Sequence, residues 1–249
     1  MSKTVCLDPG HGPGCVNGSP DRSYKEYEFA WDMSQRVKAH LERSGVKVVM
    51  TKEENGYPTL TERADVSNKA KADLFVSFHS NAEGISGWGT ARGFLIYTSS
   101  GPETAARNVA AKSIITKVQA AGVAIKGRGL LHETYTVLTK TTAPAALIEH
   151  GFHTNKEDVA LLKSNAYRAK LAEATAKGIC DFLGVAWVDK PTSDGNHPEV
   201  ADWAAEAWEK ARDRGIMDGT RPTDPVTRQE LAVVLDRLGQ LNGLPKGAV

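Results

Sequence analysis

Thr4-Val5-Cys6-Leu7-Asp8-Pro9-Gly10-His11-Gly12 opens with four strand-forming residues that run into a Gly/Pro-rich loop lasting to Pro20. The next segments decide the fold. Residues 26–44 carry Phe29, Met33, Val37 and Leu41 at four-residue spacing and stop at Gly45, the pattern of an amphipathic helix. Residues 46–50 return to a short apolar run. Strand, loop, helix and strand make one βαβ unit, and the order repeats. Residues 60–72 read as a helix, 74–78 as a buried strand and 94–97 as a strand. Residues 103–121 read as a helix, 145–148 as a strand and 166–183 as a last helix. The alternation predicts an α/β fold, a twisted, mostly parallel sheet flanked by helices.

Residues 188–197 (VDKPTSDGNH) are polar and rich in turn formers, which marks a linker between a domain at 1–187 and a small helical domain at 198–249. With 31 basic and 30 acidic residues the net charge is +1, so the electrostatic drive for nucleic-acid binding is missing. No apolar run reaches the roughly 18 residues that cross a bilayer, so no membrane insertion is expected. Three cysteines give no disulfide framework. The strand at Thr4 leaves no room for a signal peptide, and synthesis in the cytoplasm is the expectation.

Four groups sit at strand ends or beside them: His11 in its loop, Glu26 with Glu28, His79 in Phe78-His79-Ser80-Asn81, and Glu149 in Ile148-Glu149-His150-Gly151-Phe152. The carboxyl ends of parallel strands line one crevice, so residues 15, 68 and 138 positions beyond His11 can meet it there. Two imidazoles and one carboxylate make a three-ligand Zn²⁺ site with a position left for water. A further carboxylate beside that water completes a metal-assisted hydrolase. Spacing alone leaves Glu26 and Glu28 as alternatives.

The segments VCLDPGHG (5–12), KEYEFAWDMSQRVKAHLERSGVKVVMTK (25–52), LTERADVSNKAKADLFVSFHSNA (60–82) and APAALIEHGFHTNKEDVALL (143–162) resemble, in order, the zinc-dependent N-acetylmuramoyl-L-alanine amidases of the amidase-3 type. The likeness runs from about Val5 to Leu183. It implies a peptidoglycan hydrolase that cuts the amide between N-acetylmuramic acid and L-alanine of the stem peptide, with one Zn²⁺ per chain. Position by position it implies His11 and His79 as metal ligands and Glu149 as the catalytic carboxylate. Aligning Met33, Val37 and Leu41 with the family's apolar positions favours Glu26 over Glu28 as the third ligand. Arg63 matches an arginine read as structural. Cys15 reads as a bystander, His150 and His153 as rim or structural residues, and His132 as a residue able to face the cleft. The missing leader fits a phage-type endolysin released to the wall at lysis. The alternatives are another zinc-dependent peptidoglycan peptidase or carboxypeptidase, and a wall-binding protein without turnover.

The segments AWEKARDRGIMDG and PVTRQEL resemble an S-layer-homology module. That resemblance implies binding to a secondary cell-wall polymer, with Trp203 and Arg228 as candidate contacts. Thr227 with Glu230 three residues on is equally a helix-capping box.

Overall fold

The computed structural model describes residues 2–84, 87–189, 208 and 211. The chain divides into two compact units, Met1–Lys190 and Pro191–Val249. The expectations for 190–249, Trp203 and Arg228 included, lie outside the described residues apart from Trp208 and Ala211, both helical.

In chain order the first unit comprises β1 (Thr4–Pro9), α1 (Glu26–Arg43), β2 (Lys47–Met50), α2 (Leu60–Ala70), β3 (Leu74–Asn81) and β4 (Phe94–Thr98). Then follow α3 (Ala106–Ala120), β5 (Ile125–His132), α4 (Thr136–Thr139), β6 (Ala145–Phe152), α5 (Lys156–Lys163) and α6 (Asn165–Leu183). The strands form one six-stranded sheet in the order β2-β1-β3-β6-β4-β5. Its pairings are parallel except where β4 joins β6 antiparallel. The α/β sheet expected from the alternation is therefore present, with one edge reversed.

Two-residue periodicity sorts the strand side chains into two layers. Val5, Leu7, Val76, Ile96 and Ile148 face a large core that includes Phe29, Met33, Val37 and Leu41 of α1 and residues of α3 and α6. Cys6, Phe75, Ala145 and Leu147 face a smaller core with Val137 and Leu138 of α4 and Val66 of α2. The α3–α6 contact depends on Gly178. A Cβ there would sit 2.4 Å from Ile114 Cα, so any side chain would force the helices apart. At the start of α2, Thr59 and Glu62 form a reciprocal capping box.

The elements absent from the sequence reading are β5, α4 and α5. β5 carries Gly127 and Gly129 with positive φ, and its pairing with β4 is irregular, so it shows no clean alternation. Strand β6 runs to Phe152, four residues beyond the expected exit at Ile148, because it keeps pairing with β3 as far as Asn81.

Candidate active site

β1, β3 and β6 run in one direction, so their carboxyl ends deliver His11, His79 and Glu149 to the same edge of the sheet. Glu26 opens α1 above them. One ligand atom from each of His11, Glu26 and His79 lies within 4.8 Å of the others. His11 Nε2 is 3.2 Å from Glu26 Oε2, and His79 Nδ1 is 3.1 Å from Glu26 Oε1. The two imidazole rings stand nearly perpendicular, with centroids 4.9 Å apart.

Each of the three is held from behind. His11 has φ 58, a conformation few residues other than glycine adopt. The fully buried Arg63 fixes it there, donating to the carbonyls of Pro9 (2.7 Å) and His11 (3.0 Å) while pairing with Asp8 at 2.9 Å. Gly10 allows the loop to pass close under the site, since a Cβ would lie 2.4 Å from His79 Cε1. The Ser80 amide donates to Glu26 Oε1 at 2.9 Å. Burial by itself would raise the Glu26 carboxyl, but the His11 and His79 imidazoles beside it outweigh burial and hold the group well below the ordinary carboxylate range.

The hydrogen bonds around His79 decide its tautomer. Ser77 Oγ gives its one proton to Asp8 Oδ2 at 2.6 Å, so it accepts from His79 Nε2 at 3.0 Å. That leaves a lone pair on His79 Nδ1, facing an ionised carboxylate oxygen. Two acceptors 3.1 Å apart repel unless a cation lies between them. The donor set therefore fits a divalent metal of the zinc kind, with a carboxylate–histidine arrangement behind it.

Glu149 pairs in register with His79 across the β3–β6 ladder. Its side chain is buried, and Oε2 finds no hydrogen-bond partner among the described residues. Burial first, and the negative charge of Glu26 second, push its carboxyl well above the ordinary range. Such a group is poised for proton transfer.

The neighbouring residues divide clearly. Glu28 is exposed and paired with Lys25 at 2.8 Å, away from the cluster. His150 is core: its ring stacks on Phe78, meets Phe29 and Phe94 edge-on, and is held neutral by burial, its pKa lowered to about 4. It donates from Nδ1 to the His79 carbonyl at 2.9 Å. His153 is not at the rim. It is buried, with Nδ1 3.0 Å from Ser80 Oγ and 3.8 Å from Glu26 Oε2, and Ser80 also accepts from Tyr24. The longer β6 is the reason, since the His153 amide still bonds to Asn81. Cys15 places its thiol 3.3 Å from His11 Nδ1, behind the ligand rather than within the cluster. His132 does not face the cleft. On β5, Leu131 shares the Tyr97 face, so His132 points to the opposite face of the sheet, beside Thr98 and α3.

The family profile described as N-acetylmuramoyl-L-alanine amidase matches residues 5–181. An endolysin of Bacillus phage SPP1 is 36% identical over 205 residues, covering 81% of this chain and 72% of the endolysin. N-acetylmuramoyl-L-alanine amidase LytC of Bacillus subtilis (strain 168) is 30% identical over 182 residues, 73% of this chain but 36% of LytC. The solved catalytic domain of CwlV, an N-acetylmuramoyl-L-alanine amidase from Bacillus (Paenibacillus) polymyxa var. colistinus, superposes with a TM-score of 0.65 at 28% identity. That match covers 74% of this chain and 99% of that domain.

Proposed function

The chain belongs to the N-acetylmuramoyl-L-alanine amidase family, and from that membership we propose a zinc-dependent peptidoglycan amidase that cuts between the lactyl carbonyl of N-acetylmuramic acid and the stem peptide's L-alanine. The observation that carries the zinc reading is the convergence of His11, Glu26 and His79 within 4.8 Å, two imidazoles and one ionised carboxylate. A zinc ion bound there supplies Lewis acidity and an acidified water.

The chain's own groups do the rest. Glu149 Oε2, without a hydrogen-bond partner among the described residues and beside His79, takes the proton of the attacking water and returns it to the departing amine nitrogen. Ser77 and Asp8 keep the His79 Nδ1 lone pair turned inward. Arg63 holds the His11 loop, and the His150 imidazole holds the His79 backbone. Ser80, flanked by Tyr24 and His153, fixes the Glu26 carboxylate.

Action on the wall after release at lysis is supported by the likeness to a phage endolysin. Among the described residues no helix is long and apolar enough to cross a membrane. Residues 198–249, after a linker at 188–197, make a wall-polymer-binding domain in this reading, with Trp203 and Arg228 as contacts. Support for it comes from the sequence resemblance alone.

Mass spectrometry of digested walls tests the activity. Free amino-terminal L-alanine is expected, abolished by chelator and restored by zinc. Released D-alanine with no new L-alanine terminus would make the protein a carboxypeptidase instead. Metal analysis tests the ligand set. Glu26→Gln is expected to strip most of the zinc while Glu28→Gln keeps it, because Glu28 is turned toward Lys25. The reverse pattern would move the site two residues along α1.

A further inference from the structure

The sheet face that carries Glu149 continues past it. On β4, Leu95 lies opposite Glu149 and Tyr97 opposite Leu147, and residues opposed across an antiparallel pair share a face. On β5, Leu131 is in register with Tyr97. The Tyr135 ring stands edge-on to Tyr97, with centroids 5.5 Å apart and planes at 74°. Tyr97 rests on the small core formed by Val137, Leu138 and Leu147, so the aromatic pair has an apolar floor. Its outer side is open: Leu131 is 49% and Tyr135 42% exposed. Strand geometry sets Tyr97 Cα about 8 Å from Glu149 Cα, from a two-residue advance and one strand spacing.

An open apolar surface beside a catalytic carboxyl is a ligand surface, and charge decides which part of the wall polymer it takes. The acidic group beside the Tyr135 ring is the exposed Glu133, two residues before it in the chain. A stem peptide brings carboxylates, which this group repels. The glycan strand brings neutral N-acetylated pyranose rings, whose C–H faces lie well on the electron-rich face of an aromatic ring. We infer that Tyr97, Tyr135 and Leu131 form a glycan subsite seating a neutral N-acetylated sugar next to the muramyl residue being cut. The inference rests on the amidase reading, and it sets a polarity for the substrate. The glycan lies over β4 and β5, and the stem peptide leaves on the other side of Glu149.

An N-acetylglucosamine tetramer, which has no peptide, is the probe. Against cleavage of a soluble disaccharide tetrapeptide it is expected to inhibit the full-length wild-type protein competitively, a readout that reports only on sugar seated at the active site. Tyr135→Ala is expected to raise the inhibition constant about tenfold, with zinc content and circular dichroism unchanged. Leu131→Ala, at an exposed side chain, is expected to raise it by a smaller factor and decides the matter if Tyr135→Ala does not fold. Absence of competitive inhibition, or a constant that neither variant moves, overturns the subsite while leaving the amidase standing. A rise instead in the inhibition constant of a sugar-free stem tripeptide overturns it in favour of peptide. If the wild type frees no L-alanine terminus from the soluble substrate, both readings fall.

Discussion

Glu149→Gln is expected to keep its fold and its zinc and to lose wall hydrolysis by about 10²–10⁴-fold, the range for removing a positioned proton carrier. Glutamine matches the carboxyl in size but cannot accept the proton, so the loss should fall on kcat with little change in KM. The same substitution should stabilise the metal-free protein. Burial and the charge of Glu26 raise the folded-state pKa of Glu149, so the folded state favours the protonated acid. The unfolded chain releases that proton near an ordinary glutamate pKa of about 4.3. Stability is therefore lost as pH rises from about there towards the raised folded value, because the unfolded state then binds fewer protons. Glutamine never ionises and escapes that loss. In chelator, melting curves should show Glu149→Gln more stable than wild type near pH 7, with the advantage vanishing towards pH 4. Near-normal hydrolysis by the variant would remove Glu149 from the chemistry. An advantage independent of pH would mean that the buried carboxyl carries no charge penalty.

The core elements were legible because their side chains obey a simple period. Phe29, Met33, Val37 and Leu41 are buried together on α1, as the four-residue spacing predicts. The apolar runs at Val5, Leu74 and Ala145 are central strands with both faces covered. β5 was illegible since its stability comes from pairing with β4, while Gly127, Arg128 and Gly129 break any alternation. The candidate ligands could be named because strand ends converge in such a sheet. The groups behind them could not. His153 lies against Glu26 only because β6 continues four residues further than its apolar run. Ser77 fixes a tautomer through Asp8, 69 residues away in the chain. Ties of this kind depend on which strands become neighbours, and local pattern does not report that. The Glu26 and Glu28 alternatives, two residues apart on one helix turn, separate once Lys25 is seen to hold Glu28 outside.

Arg63 links the stability of the fold to the metal site, and replacing it should expose both roles. Its guanidinium is 2% exposed and pairs with Asp8, whose other hydrogen bonds come from Thr51 and Ser77. Arg63→Met fills similar space but leaves the Asp8 charge buried without its counter-ion, a change that costs about 3–5 kcal/mol. For a unit of this size the melting temperature should fall by about 10 °C or more. The carbonyls of Pro9 and His11 lose their donor at the same time. The backbone bonds that hold His11 at φ 58 are then gone, so zinc affinity should drop as well, by about 10–100-fold as for other residues that orient a ligand from behind. The double variant Asp8→Asn/Arg63→Met separates the two effects. Removing the buried charge should recover much of the stability, since the two residues form one coupled unit. The freed carbonyls remain unpaired, so zinc affinity should stay low, as measured by competition with a chelator of known strength. A double variant that recovers wild-type zinc binding would show that Arg63 acts through charge alone, and that the His11 loop keeps its shape without it.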